Sequence, residues 1–132
     1  MDTASSADSS AHAITAAQLS ARLGSSDAPL IIDVRKAPAF DTGESMIAGA
    51  SRIAPDALAA ALPTLPRARE IVAYCVHGHQ VSQGAAQQLR EAGFNARFLE
   101  GGIEHWQQDG LPLMDKRSAV ALPGTPAAPG SR

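Results

Sequence analysis

One thiol, two imidazoles and a glycine crowd into a single short stretch, Cys75-Val76-His77-Gly78-His79. Cys75 is the only cysteine of the chain. It ends an apolar run rich in β-formers, Ile71-Val72-Ala73-Tyr74, and a helical pattern begins at about Ser82 and runs to Gly93. Strand, short loop and helix in that order predict a thiol at the bottom of a cradle of backbone N–H groups. Amide dipoles at a helix N-terminus favour an anion there, and the thiolate is the nucleophilic form of cysteine. Cys75 is therefore the candidate nucleophile. Val76, His77, Gly78, His79, Gln80 and Val81 are the candidate binders of an anionic substrate, chiefly through their amides. Gly78 lets the loop reach φ > 0 and aim those amides inward. His77 and His79 add hydrogen-bond donors, and positive charge when protonated. Two plainer readings stand beside this one: an inert buried thiol at a strand end, or a metal site of Cys75, His77 and His79. The metal reading has only those three ligands and no CxxC partner, so neither metal nor cofactor is expected.

The elements that must position this loop follow from the pattern on either side. Thr15 can cap a short helix through Leu23, with Leu19 and Leu23 on one face. Leu30-Ile31-Ile32-Asp33-Val34 is a continuous apolar run, as in a strand buried on both faces. Ala37 to Phe40 reads as a turn of helix or loop, and Ile47 to Ile53 as a turn and a short strand. Pro55 suits the first position of a helix reaching about Leu62. After the Cys75 loop, Ala85, Ala86 and Leu89 form one helical stripe, with Gly93 ending the helix. Ala96 to Leu99 is another strand, and Gly101-Gly102 turns into a last helix, Ile103 to Gln108, that carries Trp106. Alternating strands and helices predict an α/β fold with a parallel sheet covered on both faces. Asp33 and Arg35, at the end of the first long strand, look catalytic by type but read as supporting residues. Asp33 is expected to bond loop amides, and Arg35 to pair with a carboxylate such as Glu44 or Glu70. Tyr74 and Trp106 read as packing residues, and Glu100 and Glu104 as a solvated face.

A chain of 132 residues has room for one domain with tails. Residues 1–13 are rich in Ser, Ala and Asp and read as a disordered N-terminal segment; residues 116–132 read as a flexible Pro/Gly-rich tail. The folded domain is then 14–115. The formal net charge of −2 argues against a nucleic-acid partner, which calls for a basic patch. No apolar stretch approaches the roughly 20 residues of a membrane span, so no membrane partner is expected. The first residues lack the basic and apolar regions of a secretory signal. With a lone cysteine, that makes a reducing cytoplasm the expected location.

Taken together, the pieces resemble the rhodanese-like domain of the single-domain thiosulfate sulfurtransferase family. The residues that carry the resemblance are Ile32-Asp33-Val34-Arg35, Ile47-Ala48-Gly49-Ala50, Tyr74-Cys75-x-x-Gly78, Ala85-Ala86-x-x-Leu89 with Ala92-Gly93-Phe94, Leu99-x-Gly101-Gly102-x-x-x-Trp106 and Gly110-Leu111-Pro112. The loop and the downstream Leu-Glu-Gly-Gly-Ile are also similar to a bacterial subgroup of the family. The resemblance implies a five-stranded parallel sheet with helices on both faces. It further implies that Cys75 carries a persulfide between a small-molecule sulfur donor, often thiosulfate, and cyanide or a thiol, which can belong to a sulfur-accepting protein. Three departures stand out. Gln80 occupies the position, five residues after the cysteine, where many members have arginine. The loop from Cys75 to Val81 is seven residues long, one more than usual. The usual histidine before Ile47-Ala48-Gly49-Ala50 is absent. Related phosphatases and arsenate reductases also use seven residues but end them with an arginine. Val81 stands there and cannot supply a bidentate fork. The missing loop arginine leaves a second expectation beside the sulfurtransferase: a non-catalytic module that binds or senses an oxyanion or a partner protein.

Overall fold

The computed structural model describes residues 12–25, 28–43, 45–77 and 80–115. Within them a five-stranded sheet, all parallel, runs in the order β1-β6-β5-β2-β4. Its strands are β1 (Ala13–Ile14), β2 (Leu30–Asp33), β4 (Ser51–Arg52), β5 (Ile71–Tyr74) and β6 (Ala96–Leu99). The helices are α1 (Ala16–Arg22), α2 (Ala37–Thr42), α3 (Leu58–Ala61), α4 (Gln80–Glu91) and α5 (Gly102–Gln108). Two further strands, β3 (Ser45–Ile47) and β7 (Leu113–Asp115), form a separate antiparallel ribbon with Met46 opposite Met114.

The central strands explain the double cover. Successive side chains of a strand point to opposite faces. Leu30 and Ile32 of β2, with Ile71 and Ala73 of β5, face one core together with Leu58, Ala85, Ala86 and Leu89 of α3 and α4. Ile31 of β2, with Val72 and Tyr74 of β5, faces the other, against Leu19 of α1, Ile103 and Trp106 of α5, and Met46 and Ile47 of β3. Both sides of each strand are buried, so the run is apolar throughout instead of alternating. Trp106 is fully buried and its indole N–H donates to Pro112 O at 2.7 Å, which ties the approach to β7 back to α5.

Thr15 caps α1 as expected, and does so reciprocally: its Oγ1 accepts from Gln18 N, and Gln18 Oε1 accepts from Thr15 N, both at 3.0 Å. Three of the expected elements differ from the sequence reading, and the β3–β7 ribbon was not expected at all. Ala13, expected in the disordered segment, begins β1, and His12 O accepts from Phe98 N at 2.9 Å. The helix expected from Pro55 is interrupted: 3₁₀ turns at Pro55–Ala57 and Leu62–Thr64 flank the four residues of α3. Pro63 has no N–H for a continuing helix. Finally, α4 begins at Gln80, not at Ser82. Val81 lies one turn before Ala85 and two before Leu89, and it packs on the same core as both. That contact draws the helix back toward the cysteine. Among the described residues no helix is long and apolar enough to cross a membrane.

Candidate active site

Cys75 follows directly on β5, the middle strand, at the end where the parallel strands point their carboxyl termini. Open α/β sheets place their sites there. The thiol is 6% exposed. It meets Ser82 on the first turn of α4, Sγ to Oγ 3.2 Å, and the Ser82 side chain is fully buried. The thiol can donate to this hydroxyl, and the thiolate can accept from it. The Cys75 backbone is held from the other side. Ile103 N donates to Cys75 O at 2.9 Å, and Glu104 N donates to Val76 O at 3.0 Å. This approach requires Gly102: at φ +62 a Cβ there would overlap the carbonyl groups of Cys75 and Val76. The glycine pair read as a turn into the last helix is thus also a docking surface for the cysteine loop.

Beside the thiol lies a cleft of about 200 Å³, lined by Arg35, Lys36, Ala39, Cys75, Val76, His77, Gln80 and Val81. It joins the ends of β2 and β5 to α2 and the first turn of α4. Of the residues expected to bind substrate, Val76, His77, Gln80 and Val81 meet here; Gly78 and His79 lie outside the described residues. Gln80 and Val81 belong to the first turn of α4 and not to a loop. The N–H groups at the start of a helix have no partner within it, so this turn still offers donors to an anion. His77 is exposed and its Nε2 meets Glu104 Oε1, a contact that becomes an ion pair when the imidazole carries a proton. Glu104 is therefore part of the loop's anchorage as well as solvated surface.

The supporting residues pair differently from expectation. Arg35 is bound to Asp33, two residues away, and not to Glu70 (Glu44 lies outside the described residues). Its Nη2 donates to Asp33 Oδ2 at 2.6 Å and its Nε to both carboxylate oxygens at 3.0 and 3.1 Å. Glu70 is held instead by Arg22 at 2.7 Å and Arg97 at 3.2 Å. Asp33 accepts one backbone amide, that of Arg35 at 3.0 Å, and the pair is nearly or fully buried. Register is the cause. Pairing β2 with β5 sets Asp33 opposite Tyr74, whose hydroxyl donates to Asp33 Oδ2 at 2.8 Å and accepts from Ile47 N at 3.1 Å. Burial, and then the Asp33 carboxylate, push the Tyr74 phenol far above its ordinary pKa, so it stays a donor. Arg35 also donates to Ser45 O at 2.9 Å. Tyr74 is thus more than packing.

Sequence reasoning missed Ser82 and Lys36. A serine at the head of the helical pattern was a signal for the first. The second has none, because it comes to line one cleft with Cys75 only through the pairing of β2 with β5.

A curated sulfurtransferase of Allochromatium vinosum is 29% identical over 101 residues, covering 76% of this chain and 92% of the relative. The crystal structure of a rhodanese-related protein from Thermoplasma volcanium superposes with a TM-score of 0.68 at 28% identity, over 78% of this chain and 97% of that one. A protein from Lactobacillus plantarum gives a TM-score of 0.74 at 28% identity, over 81% and 91%. Residues 15–109 match the family described as Rhodanese-like domain, and with a match over most of its length the chain belongs to that family.

Proposed function

We propose that the protein is a sulfurtransferase in which Cys75 carries sulfane sulfur as a persulfide, taken from thiosulfate or a related donor and given to cyanide or a thiol. The observation that carries this reading is the Cys75 thiol, set at the end of the middle strand, hydrogen-bonded to buried Ser82 and opening on a small cleft. Family membership and the sulfurtransferase of A. vinosum support it.

In the first step the Cys75 thiolate attacks the outer sulfur of thiosulfate. A bond forms between the two sulfurs, the donor's own S–S bond breaks, and its electron pair leaves on sulfite. In the second step cyanide attacks the outer sulfur of the persulfide. Thiocyanate departs and the Cys75 thiolate is regenerated; a thiolate acceptor departs as its own persulfide. Splitting the transfer in two replaces one difficult step by two easier ones. The Ser82 hydroxyl is placed to donate to the thiolate, and the first-turn amides of α4 are donors for thiolate, persulfide and departing sulfite. Near-complete burial of the thiol limits access to small donors that enter the cleft. A thiol of another protein can serve as acceptor only if it reaches in. This chemistry belongs in a reducing compartment such as the cytoplasm.

The test is intact mass without reductant after incubation with thiosulfate. The expected result is a gain of one sulfur atom that cyanide removes and that Cys75→Ser lacks. No gain would refute the reading. It would favour the second one, a non-catalytic module for an oxyanion or a partner protein, for which the observation is Gln80 lining the cleft where many relatives have arginine.

A further inference from the structure

The charges around the cleft do not cancel alike. Three of the described residues that line it can carry positive charge: Arg35, Lys36 and His77. Arg35 is 4% exposed, bound through Nε and Nη2 to Asp33 and through Nη2 to Ser45 O. Its charge is matched by Asp33, and its Nε and Nη2 donors are turned toward the protein. His77 is paired with Glu104. Lys36 is exposed, and among the described residues its side chain makes no hydrogen bond or ion pair. The chain as a whole carries a net charge of −2, which disfavours approach of a dianion. Among the described residues, a small anion entering this cleft therefore meets one unmatched side-chain cation, on the residue that follows the buried pair.

We infer that Lys36 is the substrate-binding cation of this site, holding the sulfonate oxygens of an anionic sulfur donor while Cys75 attacks its outer sulfur. This rests on the sulfurtransferase reading and names the donor class for it: sulfane donors that carry an oxyanion, thiosulfate before uncharged ones. An ammonium on a four-carbon stem is suited to the task. It acts as a point charge with three rotatable donors and needs no bidentate geometry. The position opposite, filled by arginine in many relatives, holds Gln80, so the positive charge has moved from the head of α4 to the end of β2. Lys36 binds thiosulfate before the transfer and sulfite after it, and no proton or electron pair passes through it.

The experiment is steady-state sulfur transfer by the full chain with Lys36→Gln and Lys36→Arg. For Lys36→Gln the KM for thiosulfate rises about three- to fivefold, the upper range of one exposed ionic contact, and the loss falls on KM more than on kcat. Lys36→Arg stays near wild type. Salt raises the wild-type KM because it screens exposed charges, and raises that of Lys36→Gln less. Adding Gln80→Arg to Lys36→Gln lowers KM again. A KM within twofold of wild type with the same salt dependence overturns the inference, as does an equal loss in Lys36→Arg. Calorimetric binding of thiosulfate to Cys75→Ser, with and without Lys36→Gln, separates the two levels of the argument. If wild type gains no sulfur, the sulfurtransferase reading falls; weaker binding without Lys36 still upholds its role as the anion's cation. Binding that is equally tight, or equally absent, with and without Lys36 overturns it.

Discussion

Gly102→Ala tests whether the cysteine loop is held by the head of α5. The wild-type residue has φ +62, and an alanine Cβ there would overlap the carbonyl groups of both Cys75 and Val76. The neighbours are backbone atoms, which cannot swing aside as a side chain does. A left-handed conformation costs an L-residue about 1–2 kcal/mol. Forcing α5 off the loop breaks the Ile103 N to Cys75 O and Glu104 N to Val76 O hydrogen bonds, each worth about 0.5–1.5 kcal/mol. The sum is about 2–5 kcal/mol, or roughly 8–20 °C in Tm for a domain of this size. Gly110→Ala is the control. Its φ is +70 and nothing lies within 4 Å of the added Cβ, so it bears the conformational cost alone. Thermal unfolding by circular dichroism compares the two, and sulfur loading by intact mass follows the site. Gly102→Ala should melt well below Gly110→Ala and load sulfur more than tenfold slower, since a shift of about 1 Å at a reacting group can cost on the order of 100-fold. Equal melting temperatures with loading at the wild-type rate would refute the docking argument.

Two further substitutions probe the groups around the thiol. Ser82→Ala removes the hydroxyl 3.2 Å from Cys75 Sγ and should slow sulfur loading by about 10- to 100-fold, the worth of one hydrogen bond to a charged group; loading within twofold of wild type would return Ser82 to a packing role. Tyr74→Phe strips Asp33 of a donor and leaves Ile47 N without its acceptor, at a cost of about 2–4 kcal/mol read by denaturant unfolding. An unchanged midpoint would mean that the strand ends are held by other contacts.

The sheet and the thiol's place in it were legible because each rests on a local pattern. Leu30 to Val34 and Ile71 to Tyr74 announce buried strands by continuous hydrophobicity, and Ala85, Ala86 and Leu89 announce a helix by their spacing. Features that depend on contacts across the chain were not legible. β1 has two residues, too few to show a period, and exists because β6 offers an edge. The β3–β7 ribbon pairs Met46 with Met114, distant in sequence, and neither segment is long enough to read as a strand. The start of α4 was missed because the helical stripe was read from Ala85, whereas Val81 extends it by one turn. Arg35 was assigned a distant carboxylate because residues two apart on a strand share a face only while the strand stays regular. β2 ends at Asp33, and the chain beyond it turns the guanidinium back.

The buried pair explains why the cleft needs a second cation. Desolvating two charges costs more than most ion pairs return unless the remaining donors and acceptors are also satisfied. Here they are satisfied closely. Asp33 accepts from Arg35, from the Arg35 amide and from Tyr74; Arg35 donates onward to Ser45 O; and the Tyr74 hydroxyl accepts from Ile47 N. The network ties together β2, β5 and β3. A guanidinium so committed is an anchor and not a substrate ligand. Turning it toward an anion would leave buried Asp33 with only Arg52, 3.8 Å away, as counter-charge, and breaking a buried pair costs about 3–5 kcal/mol. The same arrangement therefore commits the Nε and Nη2 donors of Arg35 to the protein, and leaves, among the described residues, the first-turn amides of α4 and the ammonium of Lys36 to meet the anion.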